Sequence, residues 1–463
     1  MILEQYYLQC LAHASYLVGD EAAGVAAVVD PQRDVQQYLD DAKAKGLRIE
    51  YVLLTHFHAD FVSGHLEIAR RTGARIALSA RGETEYPSMG LADGESIQLG
   101  KVRIQGLQTP GHTPESMTFL VFDEAAGGDV PYAALTGDTL FIGDVGRPDL
   151  LASIGFTREE LGGMLYDSLH EKLMKLPDET LVYPAHGAGS MCGKALSKET
   201  VSTIGEQRAN SYALQPMSKQ AFIELVSEGQ PEAPKYFVHD AILNRKLRKT
   251  LDQSLEQGLR ALRLEEVVRL ANAGAQLVDL READEFAAGF LRGSLDIGLS
   301  GKFATWAGYV LDLEAPIILV GDREQVEEAA VRLGRVGLDQ LAGYLDGGFE
   351  GVLEPELVGR FERLCVAGLR TALNSDQAPF LVDVRTASEF AEGHLDGALN
   401  IPLNHIEEQL DEIPRDRDVV LLCRSGYRSA LGASLLLRAG FDRVRDLQGG
   451  MQAYDGVACT AGA

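Results

Sequence analysis

Cysteine is scarce, with five in 463 residues and none closely spaced. That pattern does not read as a disulfide framework, and it suits a reducing compartment where a thiol stays reactive. No apolar stretch approaches the roughly 20 residues that a bilayer-spanning helix needs. Met1-Ile2-Leu3-Glu4-Gln5 lacks a basic segment leading into an apolar one, so no secretion signal is expected and the cytoplasm is the expected compartment. Positive charge is in deficit: 43 Lys and Arg face 68 Asp and Glu, for a net charge of -25. That balance argues against nucleic acid or an anionic membrane as the main partner. What remains is an ordinary globular composition, 46% apolar. The chain is too long for one hydrophobic core, and three domains are expected.

The densest chemistry lies in Thr55-His56-Phe57-His58-Ala59-Asp60-Phe61. It follows the strand-like run Tyr51-Val52-Leu53-Leu54, which places two imidazoles and a carboxylate in a loop at a strand end. These residue types match the ligand preferences of a divalent transition metal. Three more pieces follow in order: Thr109-Pro110-Gly111-His112-Thr113, Thr136-Gly137-Asp138-Thr139 and Tyr183-Pro184-Ala185-His186-Gly187. Each sets a possible ligand beside glycine or proline, at a turn where side chains can converge.

Residues 1 to about 190 alternate strand-like runs (24–30, 51–54, 75–78, 102–107) with helical ones (34–45, 64–71). Residues 193 to about 250 read as helical and polar, the end of the first domain plus a connector. Beyond them the chain repeats itself. Gln276-Leu277-Val278-Asp279-Leu280-Arg281 returns as Phe380-Leu381-Val382-Asp383-Val384-Arg385, and Ile317-Ile318-Leu319-Val320 returns as Val419-Val420-Leu421-Leu422. A period near a hundred residues is domain-sized. The expected domains are 1–250, 258–352 and 360–463.

The copies part at one position. Leu422 runs into Cys423-Arg424-Ser425-Gly426-Tyr427-Arg428-Ser429, whereas Val320 runs into Gly321-Asp322-Arg323. A thiol between a strand and a helix N-terminus meets converging backbone N–H groups, and Arg424 and Arg428 add positive charge, so a reactive thiolate is expected. Cysteine phosphatases use a similar cradle with five residues between cysteine and arginine. Here four separate Cys423 from Arg428, a tighter loop that suits a sulfur anion better.

With Gly393-His394-Leu395-Asp396-Gly397-Ala398, that loop resembles the rhodanese (sulfurtransferase) family over residues 360 to 463. The resemblance implies Cys423 as the persulfide carrier, cradled by Arg424, Ser425, Gly426, Tyr427 and Arg428. The central copy resembles the same fold without its nucleophile, as a catalytically dead spacer or docking domain. Residues 1 to about 240 resemble the metallo-β-lactamase superfamily. The implied fold class is α/β, an N-terminal αββα sandwich followed by two rhodanese-like domains. Many hydrolases of that superfamily carry histidine where this chain has Phe61, which argues for a single metal.

Within the superfamily the likeness is to persulfide dioxygenases, and in particular to their fusions with rhodanese domains. That likeness implies one Fe(II) per chain, held by His56, His112 and Asp138. It leaves His58, Asp60 and His186 to orient ligands or bond the substrate. Arg147, in a segment resembling that family, is a candidate for the polar end of a thiol carrier, and Cys192 a candidate sulfur relay. The implied reaction is oxidation of a small persulfide of glutathione, coenzyme A or bacillithiol type by O₂ to sulfite and thiol. Cys423 would pass sulfane sulfur to sulfite, making thiosulfate, in sulfide detoxification. A homo-oligomer is expected. The alternatives are a zinc thioesterase of the glyoxalase II kind and a non-enzymatic persulfide carrier or sensor.

Overall fold

Every apolar run noted above in the first 190 residues becomes a strand, and both helical runs become helices. The computed structural model describes residues 1–150 and 155–456. They form two compact units, the first being Met1–Gln253 with Gly334–Gly337.

In the first unit, strands β1 (Ile2–Leu8), β2 (His13–Asp20) and β3 (Val25–Val29) form an antiparallel meander. Strands β4 (Arg48–Leu53), β5 (Arg75–Ser79) and β6 (Met89–Leu91) extend it in parallel. Parallel strands need crossovers. Helices α1 (Gln36–Ala44) and α2 (His65–Thr72) supply those between β3, β4 and β5. The second sheet runs in the order β12-β11-β10-β9-β8-β7. Its strands are β7 (Ser96–Leu99), β8 (Val102–Gln108), β9 (Met117–Asp123), β10 (Ala133–Gly137), β11 (Leu181–Pro184) and β12 (Ser202–Thr203).

The sheets meet through one apolar layer that includes Tyr16, Leu53, Phe119, Val121 and Leu135. Residues of β3 are buried at every position because both faces are covered. On one outer face Tyr38, Ala42 and Ile68 of α1 and α2 pack on the first sheet. On the other, Leu161 and Leu165 of α3 (Arg158–Asp167) are buried, and Leu165 packs with Ile204 of α4 (Ile204–Asn210) and Phe222, Ile223 and Val226 of α5 (Lys219–Ser227). The layering is αββα. Residues 204–227 thus pack into this domain, one stripe of each short helix being buried.

The second unit contains two five-stranded parallel sheets. One takes Ala261–Leu262, Gln276–Asp279, Ser294–Asp296, Ile317–Val320 and Leu341–Leu345. The other takes Glu362–Leu364, Phe380–Asp383, Leu399–Asn400, Val419–Leu422 and Val444–Leu447. Numbered within each copy, both follow the order 1-5-4-2-3, so the sequence repeat is a repeat of topology.

One buried device recurs. Asp383 accepts from the Arg385 backbone N–H and guanidinium at 2.7–3.0 Å, and Arg385 reaches on to the Gly393 carbonyl. Asp279, Arg281 and Gly289 repeat this in the central copy. In both, the carboxylate ties the end of the second strand to the turn that follows the next helix. Among the described residues no helix is long and apolar enough to cross a membrane. Asp383→Ala leaves a buried guanidinium unpaired, so it costs about 3–5 kcal/mol. The expected readout is earlier unfolding of the last domain in thermal denaturation.

Candidate metal centre and sulfur site

Four loops at strand ends bring the metal-type ligands to one edge of the sandwich. His56 follows β4, His112 lies between β8 and β9, Asp138 follows β10 and His186 follows β11. The first two rings are fixed through their Nδ1 atoms. Thr55 donates from N and Oγ1 to the Asp30 carboxylate at 2.8 and 2.7 Å, and its Oγ1 lies 3.0 Å from His56 Nδ1. The Nδ1–H of His112 donates to the Arg147 carbonyl at 3.0 Å.

Both Nε2 atoms are left facing one carboxylate oxygen. Asp138 Oδ2 is 3.4 Å from His112 Nε2 and 3.8 Å from His56 Nε2. His56 Nε2 and Asp138 Oδ2 are buried without a hydrogen-bond partner. Each such orphan costs about 1–3 kcal/mol unless something satisfies it. The three donor atoms lie within 4.8 Å of one another, and a cation there satisfies all of them. Two imidazoles and one carboxylate leave coordination positions open, the donor set of non-haem ferrous sites.

Asp138 uses its other oxygen differently. Oδ1 pairs with His186 Nδ1 at 2.8 Å, and His186 Nε2 lies 2.8 Å from Asp60 Oδ2. Burial opposes charge on His186, yet these two carboxylates hold its pKa well above the usual value. His58, Asp60 and His186 make a second convergent group. Phe61, 1% exposed, fills the adjoining space, its ring 4.4 Å from that of His58. His13, unremarked in the sequence, sits 4.0 Å from the Phe61 ring with both nitrogens buried and unpartnered. Nothing in the apolar run around it signalled this placement. Cys192 Sγ lies beside Asp138 and His186. Burial, with the Asp60 and Asp138 carboxylates, pushes that thiol well above the usual value, so it is held protonated.

Two further residues shape the loop. Asn244 donates from Nδ2 to the carbonyls of His58 and Phe61, both at 2.8 Å, and accepts from Ser63 N–H at 2.8 Å. It comes from the stretch read as connector, where one asparagine carries no signal. Gly146 passes so close that a Cβ would meet the Asp138 carbonyl at 1.9 Å and the His112 ring at 3.0 Å. Only glycine fits there. Arg147 is 3% exposed, and its guanidinium is held by Asp149 and by the carbonyls of Met191 and Pro231. Its donors are turned into the protein.

The sulfur site has a different construction. Cys423 ends the strand Val419–Leu422, and helix Tyr427–Arg438 begins four residues later. Gly426, at φ +92°, turns its N–H onto Cys423 Sγ at 3.1 Å. The Cys423 thiol donates to Ser429 Oγ at 3.4 Å, and Ser429 donates to Asp446 at 2.9 Å. Arg428 makes a two-point ion pair with Glu389, 2.7 Å at each contact. The hydrogen bonds from Arg428 hold the Glu389 carboxyl at about 2. The pair is therefore complete above the ordinary carboxylate range and lost only as pH falls towards 2.

Two family models match the chain. The metallo-beta-lactamase superfamily model covers residues 8–186, and the rhodanese-like domain model covers 264–354 and 367–456. Persulfide dioxygenase ETHE1 of Bos taurus is 30% identical over 233 residues, which span 49% of this chain and 81% of that protein. The Homo sapiens protein of the same name is 30% identical over 51% of this chain and 83% of its own length. The chain belongs to the persulfide dioxygenase family of the metallo-beta-lactamase superfamily. It carries two rhodanese-like domains beyond the part that those relatives share. A metallo-beta-lactamase structure from Staphylococcus aureus subsp. aureus COL is 32% identical with a TM-score of 0.66, covering 74% of this chain and 98% of that one.

Asn244→Ala removes three buried hydrogen bonds from the ligand loop, each with a net value of about 1 kcal/mol. The expected result is a lower melting temperature and a lower metal content after dialysis against limiting metal, both measured on the full chain.

Proposed function

We propose that the protein is a non-haem iron persulfide dioxygenase coupled to a sulfurtransferase that forms thiosulfate. The observation that carries the first half is the convergence of His56 Nε2, His112 and Asp138 Oδ2 on one buried point. One Fe(II) per chain fits that donor set, and it supplies the chemistry that lets O₂ react with a sulfane sulfur. The overall change is RSSH + O₂ + H₂O → RSH + SO₃²⁻ + 2H⁺.

The chain's own residues have definite parts. Thr55, Asp30 and the Arg147 carbonyl fix the two imidazoles so that Nε2 faces inward. Asp60 and Asp138 hold a proton on His186 beside the ligand set, where its positive charge can favour the anionic sulfur of a substrate. Phe61 and the buried walls exclude water from that side.

At the second site the Cys423 thiolate attacks the outer sulfur of a persulfide, giving Cys–S–SH and releasing the carrier thiolate. Sulfite then attacks the outer sulfur and leaves as thiosulfate, with the electron pair returning to Cys423 Sγ. The Gly426 N–H and the start of helix Tyr427–Arg438 support the negative sulfur in both steps. The carrier is a small thiol of glutathione, coenzyme A or bacillithiol type, and the role is sulfide detoxification. Joining the sites in one chain raises the concentration of sulfite near Cys423.

A zinc thioesterase is the second reading, favoured by the His58–Asp60–His186 group and opposed by Phe61. Metal analysis with oxygen uptake separates the two. The proposal expects O₂ consumption on adding a small-thiol persulfide, rising in step with iron up to one per chain. Stoichiometric zinc with thioester hydrolysis and no uptake would replace it with the hydrolase. His112→Ala should lose iron and oxygen uptake together. Cys423→Ser should keep uptake and sulfite release while thiosulfate formation disappears; loss of both would show that the two sites are not separable.

A further inference from the structure

The central rhodanese-like copy has glycine where its partner copy has the nucleophile, yet two of its loops reach the cradle of Cys423. We propose that this copy is a positioning domain that sets the geometry of the Cys423 loop. It acts through Tyr427 on one side and Arg363 on the other. The proposal deepens the sulfur-transfer reading, on which its functional meaning rests.

The first arm is steric. Tyr427 is the residue between Gly426 and Arg428, and its hydroxyl donates to the Gly298 carbonyl of the central copy at 2.9 Å. Gly301 lies against the ring so closely that a Cβ there would sit 2.5 Å from Cε2 and 2.7 Å from Cζ. The ring is therefore seated in a notch that glycine leaves open. Gly426, whose N–H meets Cys423 Sγ, precedes Tyr427 directly, so movement of the ring moves the donor.

The second arm is polar. Arg363 pairs with Asp284 of the central copy at 2.7 Å. The same guanidinium donates to the Gly426 carbonyl at 2.9 Å and makes a two-point contact with Asp446 at 2.9 Å. Asp446 in turn accepts from Ser429, which accepts from the Cys423 thiol. One guanidinium thus links the central copy to both groups that contact the sulfur. Gln448 reinforces the arm by donating to Asp284 at 3.0 Å.

Between the arms lies a cavity of about 370 Å³ lined by Asp284, Asp296, Gly301, Arg363, Gly426 and Tyr427. Its walls come from both copies. The other charged groups near the loop are Arg428 with Glu389 and Asp383 with Arg385 on its own copy, and Glu282, Asp296 and Arg332 of the central copy, which face Tyr427.

The test is the pH dependence of iodoacetamide alkylation at Cys423 in the full-length protein, read by mass spectrometry of the Cys423 peptide. This readout needs neither metal nor sulfur transfer, so it stands or falls separately from the proposed reaction. Gly301→Ala should slow alkylation at neutral pH about ten-fold and move the profile to higher pH, as expected for a displaced hydrogen bond to a charged sulfur. Tyr427→Phe and Asp284→Ala should each slow it about three-fold. Asp284→Glu should recover the wild-type profile, and Glu265→Ala, on the exposed start of a central-copy helix, should leave it unchanged. Wild-type profiles in both Tyr427→Phe and Asp284→Ala would overturn the proposal. So would equal slowing in Glu265→Ala. Should Gly301→Ala fail to fold, the other variants decide.

Discussion

The Asp138 carboxylate is the constraint on which the N-terminal centre depends. One oxygen stands before two imidazoles and the other holds His186. A carboxylate that must do both cannot rotate, and its backbone is pinned by the close passage of Gly146. Its position fixes His186, and His186 fixes Asp60. The arrangement brings side chains from four separate loops to one point. It also sets the second group apart from the first, because His186 Nδ1 is already engaged by Asp138.

The two sites hold charge of opposite sign in different ways, a cation at the first and a sulfur anion at the second. At the metal-type centre the donors are side chains, buried and fixed through their far atoms. At Cys423 the donors are the Gly426 backbone N–H and the start of a helix, which carry no conformational entropy of their own once the fold is made. On the proposed function, a ferrous centre would need a defined donor set with open positions, whereas a sulfur alternating between thiolate and persulfide would need room to lengthen by one atom. A backbone cradle tolerates that change because its donors converge on a region rather than a point.

Much of this was readable in the chain. The runs at 24–30, 51–54, 75–78 and 102–107 alternate or cluster strongly enough that local pattern and tertiary burial agree, and the repeat at 276–281 and 380–385 betrayed a shared topology. His56 stood out through its neighbours His58 and Asp60, and His112 and Asp138 through the glycine before each, and the structure brings the three together. Other parts left no such mark. Asn244 acts through three hydrogen bonds to a loop more than 180 residues away, and a single asparagine looks the same whether it clamps a loop or faces water. Arg147 is a related case, because where a guanidinium turns is set by carbonyls such as those of Met191 and Pro231, whose approach no local sequence encodes.

The central copy shows which parts of a duplicated domain are held by physics and which by chemistry. It keeps the Asp279–Arg281–Gly289 device that its twin builds from Asp383, Arg385 and Gly393, because without a buried partner for the arginine the sheet end would come apart. It does not keep the thiol. At Gly321 a Cβ would stand 2.9 Å from Gln325 Oε1 and 3.2 Å from Leu280, so side chains crowd the position that the thiol takes in the other copy. A loop that only had to span from strand to helix would tolerate many sequences. Two of its loops that contact the other copy, Gly298–Gly301 and the one bearing Asp284, meet residues that touch the Cys423 loop. The central copy lacks the thiol yet keeps these contacts, which is what the proposed positioning role requires.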